Sequence, residues 1–230
     1  MGSDKVKLLG AWQSPYVMRA RIALHMKSVE YEYEEEDLYV AKSDLLLKSN
    51  PVYKKVPVFI HADRPVSESL VILQYINEVW ASGPAILPSD AYDRAIARFW
   101  AAYIDDKWFP HLRASVLSGG EEAKSAAEKT AEGLVLLEEA FTMCSKGHKF
   151  FGGERIGYLD IALGSFLGWI RVTEQRANAS LIDESKTPKL SEWAQHFCAD
   201  VVVKDVMHQT DKLFEFAKLL AAKHKSSGEN

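Results

Sequence analysis

The hydrophobic periodicity of this 230-residue chain changes character once, near residue 81. Before that point, short apolar runs with strand-like spacing alternate with helical stripes. After it, every apolar pattern has the 3.6-residue period of a helix. This confines the chain to an α/β unit followed by an all-α unit. In the first part, Val6, Leu8 and Leu9 form a short strand ending at Gly10. A helix begins at Pro15, with Val17, Ala20 and Leu24 on one face. Tyr31 and Tyr33 alternate with Glu30, Glu32 and Glu34, the pattern of a half-buried strand. Residues 43–48 read as a short helix stopped by Asn50-Pro51. Residues 56–60 read as a strand, 62–65 as a turn, and Val66-Ser67 as the returning hairpin strand. A helix follows over 69–80, giving the order β-α-β-α-β-β-α.

The segment 82–89 carries Gly83, Pro84 and Pro88 and no periodicity. It is expected to link a domain of residues 1–81 to an all-helical domain of residues 90–230. Ser89 or Asp90 caps the next helix, in which Trp100, Tyr103, Ile104 and Trp108 share a face. Gly119-Gly120 breaks the chain, and Ala127, Thr130, Ala131, Leu134, Leu137 and Phe141 make another stripe. A helix from Tyr158 is apolar nearly all round and is expected to be central and buried. Leu190, Trp193 and Phe197 mark a further helix, and Leu213, Phe216, Ala217 and Leu220 the last. The polar residues 223–230 are expected to fray.

Composition removes several function classes. The net charge is only −4 and no basic tail or patch occurs, so neither nucleic acid nor an anionic membrane is an expected partner. Two cysteines, Cys144 and Cys198, cannot build a disulfide framework. Cys144 and His148 alone make no zinc site. No run of about 18 apolar residues exists for a membrane span, and the N-terminus lacks the apolar core of a secretory signal. A cytosolic protein is the expectation.

Three places in the first domain can hold a ligand. Ser14-Pro15 puts a capping serine and a first-position proline at a helix N-terminus directly after a strand. A hydroxyl, free backbone N–H groups and the positive end of the helix dipole favour an anion there, although a plain cap has the same sequence. Val56-Pro57 opens a strand. Such a proline can be cis and expose the backbone of the preceding residue to an extended ligand, or it can simply be tolerated at an edge. Glu68-Ser69 starts the third helix. There a carboxylate can pair with an ammonium while a hydroxyl and N–H groups take a carboxylate, as an amino-acid head group requires; a helix cap is the plainer reading.

The three places combine in one pattern. A β-α-β-α-β-β-α unit with X-Pro before its third strand resembles thioredoxin, with Gln13-Ser14-Pro15-Tyr16 where thioredoxins carry Cys-x-x-Cys. Followed by an all-helical half, it resembles the cytosolic glutathione transferases. Several segments resemble the plant tau class specifically: Leu9-Gly10-Ala11-Trp12-Gln13-Ser14-Pro15-Tyr16-Val17-Met18-Arg19, Lys48-Ser49-Asn50-Pro51-Val52-Tyr53-Lys54-Lys55-Val56-Pro57-Val58, Glu68-Ser69-Leu70 and Arg98-Phe99-Trp100-Ala101. Gln13 and Tyr53 depart from the residues usual in that class, Pro and His, and bear on the shape of the pocket entrance.

The resemblance implies a function and a set of residues. Ser14 is expected to hydrogen-bond the glutathione sulfur and favour its thiolate. A free thiol, pKa ~8.5, is a few per cent ionised at pH 7, and lowering it by ~1.5–2 units takes roughly 2–2.7 kcal/mol. A hydrogen bond to a charged acceptor contributes ~1.5–3 kcal/mol and a helix N-terminus ~0.3–1, so one hydroxyl and the dipole suffice without a general base. Val56 is implied to pair its backbone with the cysteinyl part. Glu68 and Ser69 are implied to hold the γ-glutamyl end, and Lys42 and Lys55 to reach the glutathione carboxylates. Phe109, Arg113 and Trp169, in the helical half, match positions that line the hydrophobic substrate site. Gly157-Tyr158-Leu159-Asp160 resembles the family's helix capping box, with Ile156 and Ile161 as a staple.

The implied reaction is conjugation of glutathione to small hydrophobic electrophiles, as in xenobiotic detoxification, with peroxide reduction as a side activity. Glutathione is a co-substrate, and no further cofactor and no metal are implied. A non-catalytic carrier of apolar ligands is the alternative. The family forms homodimers, and a salt bridge between subunits through Arg94 and Glu78 is expected at their contact.

Overall fold

The computed structural model describes residues 5–228. The first four residues, on which part of the signal-sequence reading rests, and the last two of the polar tail lie outside the described residues. Two compact units separate: residues through Leu87 together with Val201–Val206, and Pro88–Asp200 together with residues from Met207 onward.

The first unit contains β1 (Val6–Gly10), α1 (Pro15–Met26), β2 (Glu32–Glu35), α2 (Asp44–Ser49), β3 (Val58–His61), β4 (Arg64–Ser67) and α3 (Ser69–Val79). The strands form one sheet in the order β2-β1-β3-β4. β1 and β2 run parallel, while β1/β3 and β3/β4 run antiparallel. α1 and α3 pack together. Almost every side chain of α1 is buried, on several faces and not on the single stripe of Val17, Ala20 and Leu24. Gly10 ends β1 where no side chain fits: a Cβ there would lie 2.6 Å from Val17 Cγ1 and 2.8 Å from the Tyr33 ring.

Three boundaries differ from the sequence reading. β3 starts at Val58 and not at residue 56, because Pro57 has no N–H to give to a ladder. Ala62 and Asp63 alone make the hairpin turn, both with positive φ (49° and 62°), so Arg64 and Pro65 belong to β4. The segment Val201–Val206 belongs with the first unit, where its helix α10 (Val201–Lys204) packs on α1.

The second unit is helical throughout. α4 (Ala91–Tyr103) starts at Asp90, whose carboxylate accepts the Asp93 N–H at 2.9 Å. One continuous helix through Trp108 is not what forms. A π-helical turn, Ile104–Trp108, intervenes before α5 (Phe109–Leu117). Pro110 accounts for it: in a regular helix its ring would press on the carbonyl four residues back, and the wider turn relieves that contact. The turn keeps Ile104 and Trp108 buried while Trp100 and Tyr103 are half-buried. α6 (Gly120–Cys144), α7 (Tyr158–Gly164), α8 (Leu167–Ala177), α9 (Pro188–Ala199) and α11 (Thr210–Gly228) complete the unit. α7 is buried along its whole length. The expected frayed tail remains helical as far as Gly228, as the end of α11.

The capping carboxylate of α7 does more than close a box. Asp160 is fully buried and accepts four hydrogen bonds, each 2.8 Å long. Oδ1 takes Phe151 N–H and the Trp193 indole N–H; Oδ2 takes Gly152 N–H and Gly157 N–H. It therefore ties the 150–157 loop, the start of α7 and the middle of α9 to one side chain. Burial pushes the Asp160 carboxyl up to about 6 from 3.8, against the pull of the four donors.

Asp160→Asn replaces one acceptor oxygen by a donor and leaves two buried N–H groups facing it. Each unsatisfied buried donor costs about 1–3 kcal/mol, so urea unfolding is expected to show a loss of roughly 3 kcal/mol or more. The folded-state pKa is raised, so the native state binds a proton that the unfolded chain does not between pH 6 and 4. Wild type therefore gains on the variant, which cannot titrate there, as pH falls through 6. The stability gap is expected to widen by about 1 kcal/mol between pH 7 and pH 5.

Candidate active site

Strand register brings the candidate residues of the first unit to one end of the sheet. Leu9 pairs with Val58, Val58 with Ser67, and Gly10 with Glu35. The loop after β1, the residues before β3, the residues after β4 and the loop after β2 thus all leave the sheet at the same end. Neighbouring strands lie about 4.8 Å apart. Ser14, Val56, Glu68, Ser69 and Lys42 all stand on these four segments.

Ser14 caps α1 with extended backbone (φ −81°, ψ 120°), and its Oγ accepts the Val17 N–H at 3.3 Å. The capping reading of Ser14 is the one this geometry shows. Accepting from Val17 leaves the hydroxyl proton available for donation to an external acceptor. The Val56-Pro57 peptide bond is cis. Val56 is half-buried and packs, with Leu38, against the cluster of Leu9, Leu46 and Val58.

Glu68 takes the N-cap position of α3 without a capping hydrogen bond from its side chain. Its side chain is exposed, and its backbone stands at φ 70°, ψ 115°. That conformation costs a residue other than glycine of order 1–3 kcal/mol, and such strain clusters at ligand-binding sites. Ser69 is the first residue of α3 and is buried. Its Oγ accepts a hydrogen bond from Arg19 Nη1 at 3.1 Å. Arg19 is fully buried and also stacks on the Tyr16 ring, 5.0 Å from its centroid. Sequence reasoning missed Arg19. No clear signal in the sequence marks it, since α1 carries two arginines, Arg19 and Arg21, and only Arg19 is fully enclosed.

Lys42 and Lys55 are both exposed. Lys42 directly precedes Ser43, the N-cap of α2. Lys55 lies in the segment that leads to Pro57, where its carbonyl accepts from Asn50 Nδ2 at 3.0 Å. In the helical unit, Phe109 and Arg113 stand one turn apart on α5, and Trp169 stands on α8. α5, α8 and α11 pack against one another. Phe109 and Trp169 are half-buried, and Arg113 is exposed. The Phe109 ring lies 5.1 Å from Phe166, and the Trp169 ring 6.4 Å from Phe216. Arg94 Nη1 donates to the carbonyls of Pro88 and Ser89 at 2.9 and 3.0 Å, and Glu78 is exposed. Among the described residues, no group of three or more His, Cys, Asp or Glu side chains could hold a metal. None of the described helices is long and apolar enough to cross a membrane.

A βαβαββα unit with a serine cap on its first helix and cis X-Pro before its third strand, followed by a helical unit, defines a thioredoxin-like protein that presents a hydroxyl in place of a redox thiol. Comparisons with known proteins carry this further. Residues 4–78 match the family model "Glutathione S-transferase, N-terminal domain" and residues 99–200 match "Glutathione S-transferase, C-terminal domain". Glutathione S-transferase U17 of Arabidopsis thaliana is 60% identical over 97% of this chain and 99% of its own length. The tau-class glutathione S-transferase MiGSTU of mango, Mangifera indica, is 62% identical over 96% of this chain and all of its own, with a TM-score of 0.90. The rice protein OsGSTU1, solved in complex with glutathione, is 39% identical over 95% of this chain and 97% of its own, with a TM-score of 0.88. The chain belongs to the glutathione S-transferase family, in its tau class.

The strain at Glu68 separates a ligand role from a folding role. Glu68→Gly removes both the carboxylate and the steric cost of its positive φ. Thermal unfolding is expected to be unchanged or up to about 1 kcal/mol more stable. A ligand role for Glu68 predicts that the KM for glutathione rises on the order of tenfold or more, the size of one charge-assisted contact.

Proposed function

We propose that the chain transfers glutathione to small hydrophobic electrophiles, with the Ser14 hydroxyl donating a hydrogen bond to the glutathione sulfur and holding it as the thiolate. The observation that supports this most directly is the shared sheet end of Ser14, Val56, Glu68 and Ser69, each beside a strand terminus with its own kind of polar group. A γ-glutamyl-cysteinyl-glycine ligand needs that set: a donor for sulfur, a backbone partner for the cysteinyl peptide, and paired charge and hydroxyl groups for the amino-acid head. Val56 supplies the backbone pair, Glu68 the partner of the ammonium, and Ser69 with the first N–H groups of α3 the partner of the α-carboxylate. Because Ser69 Oγ accepts from Arg19, its own proton is available to that carboxylate. Lys42 and Lys55 take the glutathione carboxylates. Glutathione S-transferase relatives of near-identical length support an enzyme over a carrier.

The chemistry asks little of the protein beyond this. The thiolate attacks the electrophilic carbon, the leaving group departs with the electron pair of its bond, and the thiol proton is released to solvent. Ser14 acts as a donor throughout and forms no covalent bond. Phe109, Arg113 and Trp169 receive the electrophile in the helical unit, where two aromatic rings suit a flat apolar substrate and the guanidinium an anionic substituent. In the peroxidase side reaction the same thiolate attacks a hydroperoxide oxygen, the O–O bond breaks to release the alkoxide, and a second glutathione displaces water from the resulting sulfenic acid to give glutathione disulfide. We further propose a cytosolic homodimer with Arg94 and Glu78 at the subunit contact.

Ser14→Ala tests the thiolate role. It is expected to raise the pKa of the bound thiol by about 1–2 units and to lower turnover of an aryl halide by roughly 10- to 100-fold, one hydrogen bond to a charged acceptor. Glutathione should still bind. Ultraviolet titration of the bound thiolate and steady-state kinetics measure both, and wild-type values would defeat the assignment. For the assembly, light scattering should give about twice the 25.8 kDa mass of one chain.

A further inference from the structure

We infer that Glu35 and Glu36, consecutive at the end of β2, are the positioning residues of the glutathione site, Glu35 for the Ser14 loop and Glu36 for the Lys42 loop. The inference rests on the reading of that site given above.

Successive residues of a strand point to opposite faces, so two adjacent acids at a strand end reach in two directions. The Glu35 carboxylate reaches the loop after β1: Oε1 accepts the Trp12 N–H at 2.9 Å. Its Oε2 accepts the Tyr33 hydroxyl, also at 2.9 Å. Burial holds the Tyr33 phenol well above the usual tyrosine range, so this hydroxyl stays a donor. Trp12 stands two residues before Ser14 in a four-residue turn closed by Ser14 N–H donating to the Ala11 carbonyl at 2.9 Å. Fixing the Trp12 amide therefore fixes where α1 begins.

The Glu36 carboxylate points into the other loop. It is 4% exposed, and Ser43 alone occupies both of its oxygens. Oε2 accepts the Ser43 N–H at 3.1 Å and Oε1 the Ser43 hydroxyl at 2.5 Å. Ser43 Oγ in turn accepts the Leu46 N–H at 3.0 Å, which starts α2. The backbone of Glu36 is anchored too, its N–H donating to the Gly10 carbonyl at 2.7 Å. Residues 37–42 thus form a loop clasped at its base, and Lys42 is the last residue before the clasp. A buried carboxylate is costly unless its oxygens are taken. Here that cost is offset only when Ser43, and so the Lys42 backbone, stands in place.

The two clasps predict different kinetic signatures. Glu36→Gln keeps the shape but sets an NH2 against a Ser43 donor. It is expected to raise the KM for glutathione about five- to twentyfold, the loss of one bond to a charged acceptor, with kcat within about twofold. Ser43→Ala should reproduce that rise, and Ser43→Thr, which keeps the hydroxyl, should restore it. Glu35→Gln is expected to raise the pKa of the bound thiol by about 0.5–1 unit and to lower kcat several-fold, with little change in KM. Circular dichroism melts run in parallel keep loss of fold from counting as loss of binding. Unchanged KM in Glu36→Gln and unchanged thiol pKa in Glu35→Gln, with Ser14→Ala still impaired, would overturn this inference alone. A Ser14→Ala protein with the wild-type thiol pKa would overturn the reading of the site itself.

Discussion

The geometry of the whole site is inherited from strand register. Each residue of slip between β1 and β3 would carry Val56 about 3.3 Å along the sheet, beyond the tolerance of a hydrogen bond. A one-residue slip would also exchange the two faces of the strand. What prevents it lies away from the ligand. Leu9 and Val58 are paired partners and are both fully buried, in a cluster with Leu46. Gly10, one residue further, sits too close to Val17 and Tyr33 for any side chain to slide through. The register on which the polar residues of the site depend is therefore set by apolar contacts and not by those residues. Apolar packing one residue inside the sheet holds the strand ends, and the strand ends hold the loops.

Those loops then face an electrostatic problem at short range. The ligand carries carboxylates as well as a sulfur that must lose its proton. The chain is weakly acidic overall, with a net charge of −4, so no long-range field draws the ligand in. In the proposed site, local groups carry the task. The N-terminal ends of α1 and α3, with Ser14 at one and Ser69 at the other, leave from the same end of the sheet. Each places a serine hydroxyl beside the positive end of a helix dipole. Buried Arg19 adds a full positive charge behind Ser69. At these separations a few fixed donors outweigh the surface charge, which salt and water screen.

Much of this was legible in the sequence, and the rest was hidden for definite reasons. Element types and order follow from periodicity and from Gly10, Ser14-Pro15 and Asn50-Pro51, because those residues act locally. The start of β3 was misread because Val56 is apolar enough for a strand and the effect of Pro57 reaches backward. The π-helical turn was missed because Pro110 acts on a carbonyl four residues upstream, in a stretch whose apolar pattern looks regular. Among site residues, Ser14, Glu68 and Ser69 stand at element boundaries that sequence marks clearly. Arg19, Glu35 and Glu36 were not singled out, since their partners are Ser69, Trp12 and Ser43, at separations that no local pattern encodes. Ser69 shows the limit well: its sequence context suggested a helix cap, whereas its hydroxyl is bonded to a guanidinium 50 residues away in sequence.

The same device recurs away from the site. Glu138 accepts the N–H groups of Lys189 and Leu190, opening α9, and Glu174 accepts those of Leu181 and Ile182. Asp160 accepts three loop amides and an indole, and Glu36 an amide and the hydroxyl beside it. A carboxylate suits this use because both of its oxygens accept, so it can close two donors of a distant segment at once; an amide side chain offers one acceptor and introduces a donor. Irregular segments have N–H groups without ladder partners, and each such group must be satisfied. Part of the acidic content of the chain is therefore structural. Those carboxylates face inward onto N–H and O–H groups, whose dipoles partly offset their charge.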